Sequence, residues 1–271
     1  MTLRPSPAAV RSAAAEARQE PLICVSGVGL TLAGNNILEG IDLEIRQGEF
    51  VCVIGPSGCG KTSLLRLIAG LYQPTVGRVT YAGSPMLGPR QDIAIVFQDY
   101  SKALLPWRNA HDNVALALEA RKIPHSQHTN MIEPLLAKVG LAGQGKKFPN
   151  QLSGGMQQRL QIARCLAQDP SVLLMDEPFG ALDAMTRQAL QDEILSIVAS
   201  SGATAFFVTH DLEEAIYLGD RVIGLLPHPG RIGTEIAVNL QRPRDQLTTR
   251  ENLEFLRLRR DLFDFIKAAE R

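Results

Sequence analysis

Residues 55–62 read Gly55-Pro56-Ser57-Gly58-Cys59-Gly60-Lys61-Thr62, with a second hydroxyl at Ser63. The spacing is G-x-x-x-x-G-K-[ST], and each residue type has a physical task. Glycines let the backbone curl so that several N–H groups point at one anion, and the helix that follows adds its positive end. Lys61 is long enough to reach the outer phosphates of a nucleotide, and the Thr62 hydroxyl is a hard oxygen suited to Mg²⁺. The pattern means this only between a strand and a helix. Val51-Cys52-Val53-Ile54 leads into it, and Leu64-Leu65-Arg66-Leu67-Ile68-Ala69 leads out to a stop at Gly70. These residues predict a nucleoside triphosphate site. Cys59, inside the loop beside Lys61, has two readings: a thiol of lowered pKa, or an inert buried one.

A second segment, Val172-Leu173-Leu174-Met175-Asp176-Glu177, ends an aliphatic run on two carboxylates. Placed at the end of a buried strand, Asp176 would face the Mg²⁺ shell and Glu177 the attacking water. Pro178 and Gly180 then turn the chain. A third segment, Leu152-Ser153-Gly154-Gly155-Met156, puts a hydroxyl and two unobstructed backbone N–H groups at a helix start. An ordinary Ser N-cap explains that locally. As a second anion site it makes sense only against a nucleotide held by another subunit.

The elements that must hold these groups follow from the spacing. Strands are predicted at Val51–Ile54, Ile93–Phe97, Val172–Met175, Ala205–Thr209, Val222–Leu226 and Glu235–Leu240, with short antiparallel strands across 21–50. Helical spacing covers Asp112 to about Ala142, Met156–Gln168 and Leu247–Ala269. The sum is an α/β nucleotide-binding fold: a parallel sheet with helices on both faces, N-terminal antiparallel strands, and a helical subdomain inserted at about 99–168. Its predicted divisions are a disordered tail (1–20), the nucleotide-binding domain (21–246) and a C-terminal helix (247–271).

At 271 residues and 45% hydrophobic content, the chain has ample material for one large domain. Lys and Arg (28) balance Asp and Glu (28), so no overall field favours nucleic acid. The four cysteines are scattered and form no disulfide framework. No apolar run reaches the roughly 18 residues of a membrane span, which predicts a soluble protein. Residues 1–20 lack the continuous apolar core of a secretory signal.

The order of phosphate loop, Gln98, Leu-Ser-Gly-Gly, Val-Leu-Leu-Met-Asp-Glu-Pro, Ala181-Leu182-Asp183 and His210 resembles the nucleotide-binding subunits of ATP-binding cassette (ABC) transporters, over roughly residues 22–240. The resemblance implies an ATPase that uses ATP and Mg²⁺ and works as a head-to-tail homodimer or paired subunit. It assigns Ser153, Gly154 and Gly155 to a γ-phosphate bound by the partner. It likewise assigns Gln98 to Mg²⁺ and to sensing membrane subunits, Asp183 to the dimer seam, Glu177 to the catalytic base and His210 to a γ-phosphate contact. Three features depart from the family pattern: Leu32 stands where an aromatic ring usually stacks on adenine, Met156 replaces the Gln ending the signature, and Thr62-Ser63 reverses the commoner hydroxyl order.

A narrower resemblance covers Gln98-Asp99-Tyr100, Leu104-Leu105-Pro106-Trp107-Arg108 and Asp112-Asn113-Val114. It is similar to importers of nitrate, sulfonate, taurine and related small anions. It implies two integral membrane permease subunits, an extracytoplasmic solute-binding protein, and a peripheral place on the cytoplasmic face of the inner membrane. There Trp107 would anchor a membrane-subunit helix. The rival readings are a soluble non-transport ABC ATPase, for which one cassette with a compact insertion argues poorly, and a P-loop kinase, which leaves Leu-Ser-Gly-Gly unexplained.

Overall fold

The computed structural model describes residues 20–270, so the predicted tail lies outside them except for Glu20. Among the described residues the strands are β1 (Ile23–Leu32), β2 (Asn35–Ile45), β3 (Phe50–Ile54), β4 (Val76–Tyr81), β5 (Ser84–Pro85), β6 (Ile93–Val96), β7 (Val172–Asp176), β8 (Thr204–Val208), β9 (Arg221–Leu226) and β10 (Arg231–Ala237). The helices are α1 (Lys61–Ile68), α2 (Tyr100–Ala103), α3 (Ala110–Ala120), α4 (His125–Lys138), α5 (Gly154–Ala167), α6 (Ala184–Ser201), α7 (Leu212–Leu218), α8 (Thr248–Glu251) and α9 (Leu253–Ala269).

The main sheet runs β10-β9-β3-β8-β7-β6, and every pairing in it is parallel except that of β10 with β9. Strands β3, β7 and β8 are buried at every residue, as expected where helices cover both faces. Alternation along β3 divides the core. Phe50, Cys52 and Ile54 join the side of α3, α5, α6 and α9, while Val51 and Val53 join the side of α1 and the antiparallel strands. That second layer has the order β2-β1-β4-β5.

The strand order matters most for function. Neighbours β3, β8, β7 and β6 point the same way, so their C-terminal ends share one edge. The turns after them carry the phosphate loop, His210, Asp176-Glu177 and Gln98 respectively. Strands lie about 4.8 Å apart, so four segments distant in sequence are brought within side-chain reach. Ligands in open α/β sheets bind at this edge.

Three elements differ from expectation. The last strand of the sheet is Arg231–Ala237, several residues earlier than Glu235–Leu240, because it closes a hairpin with β9 whose register pairs Arg231 with Leu226. The helical stretch from Asp112 is two helices. Lys122 has a positive φ of 59°, and Pro124, which has no N–H to give, becomes the start of α4. The C-terminal helix also divides: Asn252 is extended, and its side chain accepts the Glu254 N–H at 2.8 Å to begin α9.

Candidate active site

Helix α1 begins at Gly60, whose φ of 95° is comfortable for glycine and strained for other residues. A Cβ there would also meet Leu38 at 2.6 Å, so the loop has no room for a larger residue. Lys61, 8% exposed, folds back across the loop and donates to the carbonyls of Gly55 at 2.8 Å and Pro56 at 2.9 Å. The ammonium thus braces the curved backbone from inside, and two carbonyl oxygens hold it where an anion would otherwise do so. Cys59 is fully buried, with Sγ 4.0 Å from Lys61 Nζ. Burial pushes its thiol up and outweighs the nearby ammonium, so the reading of a lowered pKa is overturned and the inert one stands.

The Thr62 hydroxyl donates to Asp176 Oδ1 at 3.1 Å, joining the start of α1 to the end of β7. Burial, and then the adjacent Glu177 charge, raise the Asp176 pKa against the lowering effect of the Thr62 bond. A carboxylate held up by desolvation gains from a cation, and a hydroxyl beside it supplies a second hard oxygen. No cluster of three or more His, Cys, Asp or Glu able to hold a metal ion occurs among the described residues. The Thr62 and Asp176 oxygens would suit Mg²⁺ that takes its remaining oxygens from phosphates and water.

Glu177 leaves the strand with a φ of 46°, an uncommon conformation for a residue with a side chain. Its N–H remains tied to Val208 O at 2.9 Å. The turn swings the carboxylate into a clasp: Gln98 Nε2 donates to Glu177 Oε2 at 3.1 Å, and His210 Nδ1 lies 3.2 Å from the same oxygen. Below it, Phe179 packs on Phe207 with ring centroids 5.4 Å apart, and Phe207 packs on Phe50 at 6.1 Å. Each buried ring contributes roughly 1.5–3 kcal/mol by leaving water, which anchors an otherwise strained turn.

The structure thus links Lys61, Thr62, Asp176, Glu177, Gln98 and His210 around one edge. Pro56, Ser57, Gly58 and Ser63 lie in or directly after the same loop. It does not bring Ser153, Gly154, Gly155 or Asp183 into that network by any hydrogen bond among the described residues. Ser153 caps α5 by accepting Met156 N–H at 3.3 Å, and Asp183 caps α6 by accepting Thr186 N–H at 3.0 Å. Those bonds hold the exposed Asp183 carboxyl below the usual range. A Cβ on Gly155 would lie 3.0 Å from Leu182 and 3.2 Å from Ala181 O, so the two turns sit side by side as one unit. Leu32 ends β1 and packs partly onto the core, offering an aliphatic surface where a ring was expected.

The sequence reading missed two residues of α5. Gln158, 1% exposed, contacts the Glu177 carbonyl through Nε2 at 3.5 Å and receives the Ala181 N–H on Oε1 at 3.3 Å. Gln161, fully buried, pairs its amide with Phe97, donating to its carbonyl at 3.1 Å and accepting its N–H at 2.6 Å. One helix therefore supports both the turn that presents Glu177 and the one that presents Gln98. The available signal was a pair of amides three residues apart, among Leu160, Ile162 and Ala163, which places them on one buried helix face.

Comparison with known proteins supplies the family. The model of the family described as ABC transporter matches residues 38–180. The chain belongs to the ABC transporter family. It is 45% identical over 233 residues to the nitrate import ATP-binding protein NrtD of Synechococcus elongatus, covering 84% of each chain. It is 49% identical over 210 residues to the aliphatic sulfonates import ATP-binding protein SsuB 2 of Burkholderia cenocepacia, covering 78% of this chain and 76% of that one. Among solved structures, a dimeric post-hydrolysis state of the ATP-binding cassette MJ0796 bound to ADP and Pi matches with a TM-score of 0.71 at 30% identity. That match covers 80% of this chain and 99% of the other. As an ABC ATPase, the chain has the α/β P-loop fold expected of it and binds and hydrolyses ATP.

Proposed function

We propose that this ABC ATPase drives an importer for a small solute, a nitrate-, sulfonate- or taurine-like anion. It would act as a homodimer, or paired with a second ATPase subunit, on two membrane permease subunits fed by an extracytoplasmic solute-binding protein. The observation that carries the reading is the division of the site. One chain supplies the loop, Thr62, Asp176, Glu177, Gln98 and His210, while its Ser153-Gly154-Gly155 turn opens elsewhere. In a head-to-tail pair that turn completes the partner's site.

The roles follow from the contacts. Phosphates entering the loop draw Lys61 away from the Gly55 and Pro56 carbonyls, because a doubly charged acceptor outbids neutral ones. Mg²⁺, held by Thr62, Asp176 and Gln98, would neutralise charge developing between the β- and γ-phosphates. Glu177, steered by Gln98 and His210, orients the attacking water and takes its proton. The partner's Ser153 hydroxyl and glycine N–H groups add donors to the departing γ-phosphate.

Among the described residues no helix is long and apolar enough to cross a membrane, consistent with a peripheral place on the cytoplasmic face of the inner membrane. A surface feature supports the same reading. Asn113, fully buried, donates to Leu105 O at 3.1 Å and Arg108 O at 2.8 Å and accepts Leu105 N–H at 2.9 Å. This locks residues 105–108 so that Trp107 stands 72% exposed, an anchor for a permease helix. Residues 21–246 would form the ATPase domain, with about 99–168 as its partner-sensing insertion.

Glu177→Gln tests the divided site. With saturating ATP it should lose turnover and sediment as a dimer, whereas the nucleotide-free protein sediments as a monomer. A variant that stays monomeric at high ATP refutes the shared site.

A further inference from the structure

Helix α9 had no assignable role in the sequence, yet it stands at the edge of the site. Its buried face, Phe255, Leu258 and Leu262, packs into the core. About 110° round the helix, at 3.6 residues per turn, Phe263, Lys267 and Glu270 form a second face. Together with Ile266 they make one wall of a groove of about 390 Å³, whose other wall is Gly55, Pro56, Ser57 and His210. Phe263 remains 56% exposed there, a large apolar residue beside the phosphate loop without full cover.

We propose that this groove receives a second copy of the chain, through that copy's Ala181–Met185 turn, so that α9 is part of the ATP-closed seam. The proposal rests on the divided-site reading and extends it. Within one chain Gly155 lies so close to the next turn that a Cβ built on it would meet Leu182 at 3.0 Å and Ala181 O at 3.2 Å. When the Ser153-Gly154-Gly155 turn reaches the partner's γ-phosphate, the Ala181–Met185 turn is carried with it and meets the partner surface next to the phosphate loop and His210. The groove begins at those residues. Both sides have matching chemistry: Met185 is 76% exposed on the incoming turn, and Phe263 and Ile266 offer an apolar wall. Asp183, an exposed carboxylate held charged by its own backbone bonds, arrives at a groove that carries Lys267 and His210, with Glu270 at its far end to keep the carboxylate toward the lysine.

The test uses full-length Glu177→Gln protein, in which ATP-dependent dimerisation is read by sedimentation. Adding Phe263→Asp should raise the dimer dissociation constant at least tenfold, with ATP affinity of the monomer unchanged within twofold and the melting temperature kept. Phe263→Leu should retain the dimer. Independently, Met185→Cys with Phe263→Cys should give an oxidised inter-chain cross-link with ATP and none without it. A Glu177→Gln protein that never dimerises overturns both this proposal and the reading beneath it. Full dimerisation of Phe263→Asp, together with no cross-link in a protein that does dimerise, overturns this proposal alone.

Discussion

Gln158→Met isolates the support beneath the turn that presents Glu177, the proposed catalytic base. Methionine keeps the length and volume of glutamine and removes both polar ends. The two hydrogen bonds that disappear are long, 3.5 Å to Glu177 O and 3.3 Å from Ala181 N–H, so each falls at the low end of about 0.5–1.5 kcal/mol. Glu177 O keeps a bond from Gly180 N–H at 3.4 Å, and Ala181 is an exposed residue, so its N–H exchanges the glutamine for water at little further cost. The total is about 1 kcal/mol, or a melting shift of roughly 2–4 °C for a chain of this size. Activity should suffer more. Glu177 sits at a φ of 46° that its surroundings must enforce, and displacement of a reacting group by about 1 Å costs on the order of 100-fold. Steady-state ATPase assays should therefore show kcat reduced about 10–100-fold with KM for ATP unchanged within twofold, since Gln158 touches no part of the phosphate loop. Calorimetry on the same samples gives the stability change. A kcat within twofold of the parent refutes the reasoning. So does a melting loss above about 10 °C with KM and kcat falling together, which would make Gln158 a packing residue only.

Lys61→Met removes charge-assisted bonds of about 1.5–3 kcal/mol, so a fluorescent-nucleotide titration should show ATP affinity reduced roughly 10–150-fold; a change under threefold contradicts the loop assignment. Trp107→Ala should leave the isolated ATPase near normal while lowering solute uptake by the assembled system, and a collapse of the isolated activity would make Trp107 a packing residue instead. Glu214 is buried, bonded by Thr209 Oγ1 at 2.8 Å and Gln191 Nε2 at 3.3 Å, with Arg187 at 3.9 Å and Asp211 and His210 nearby. Burial raises its pKa first of all, against the Thr209 bond and the Arg187 charge. A raised carboxyl contributes stability that is present in full below the ordinary glutamate range and is lost as pH rises through the folded-state value. Glu214→Gln should therefore gain on the parent in melting temperature as pH rises from the ordinary glutamate range through the folded-state value, and a constant difference throughout that rise counts against this linkage.

The candidate site residues could be proposed from the sequence because the chemistry they would do is local. A phosphate loop needs its glycines, lysine and hydroxyl within eight consecutive positions, and an acid pair needs only the end of an apolar run. Strands β3, β7, β8 and β9 were legible for a related reason, being short, uninterrupted and aliphatic. Breaks such as Pro124 and the cap at Asn252 were written in the sequence too, but helical spacing on both sides masked them. Tertiary structure alone decided which ends lie together. The order β3-β8-β7-β6 sets Gln98 and His210 on one oxygen of Glu177, although they stand far apart along the chain, because a parallel sheet gathers turns by strand neighbourhood and not by chain distance. It also decided that the Cys59 thiol is buried beyond the help of Lys61, that Gln158 and Gln161 support two turns from one helix, and that α9 walls the groove beside the phosphate loop. Those facts depend on what packs against a residue, and composition and period carry no record of that.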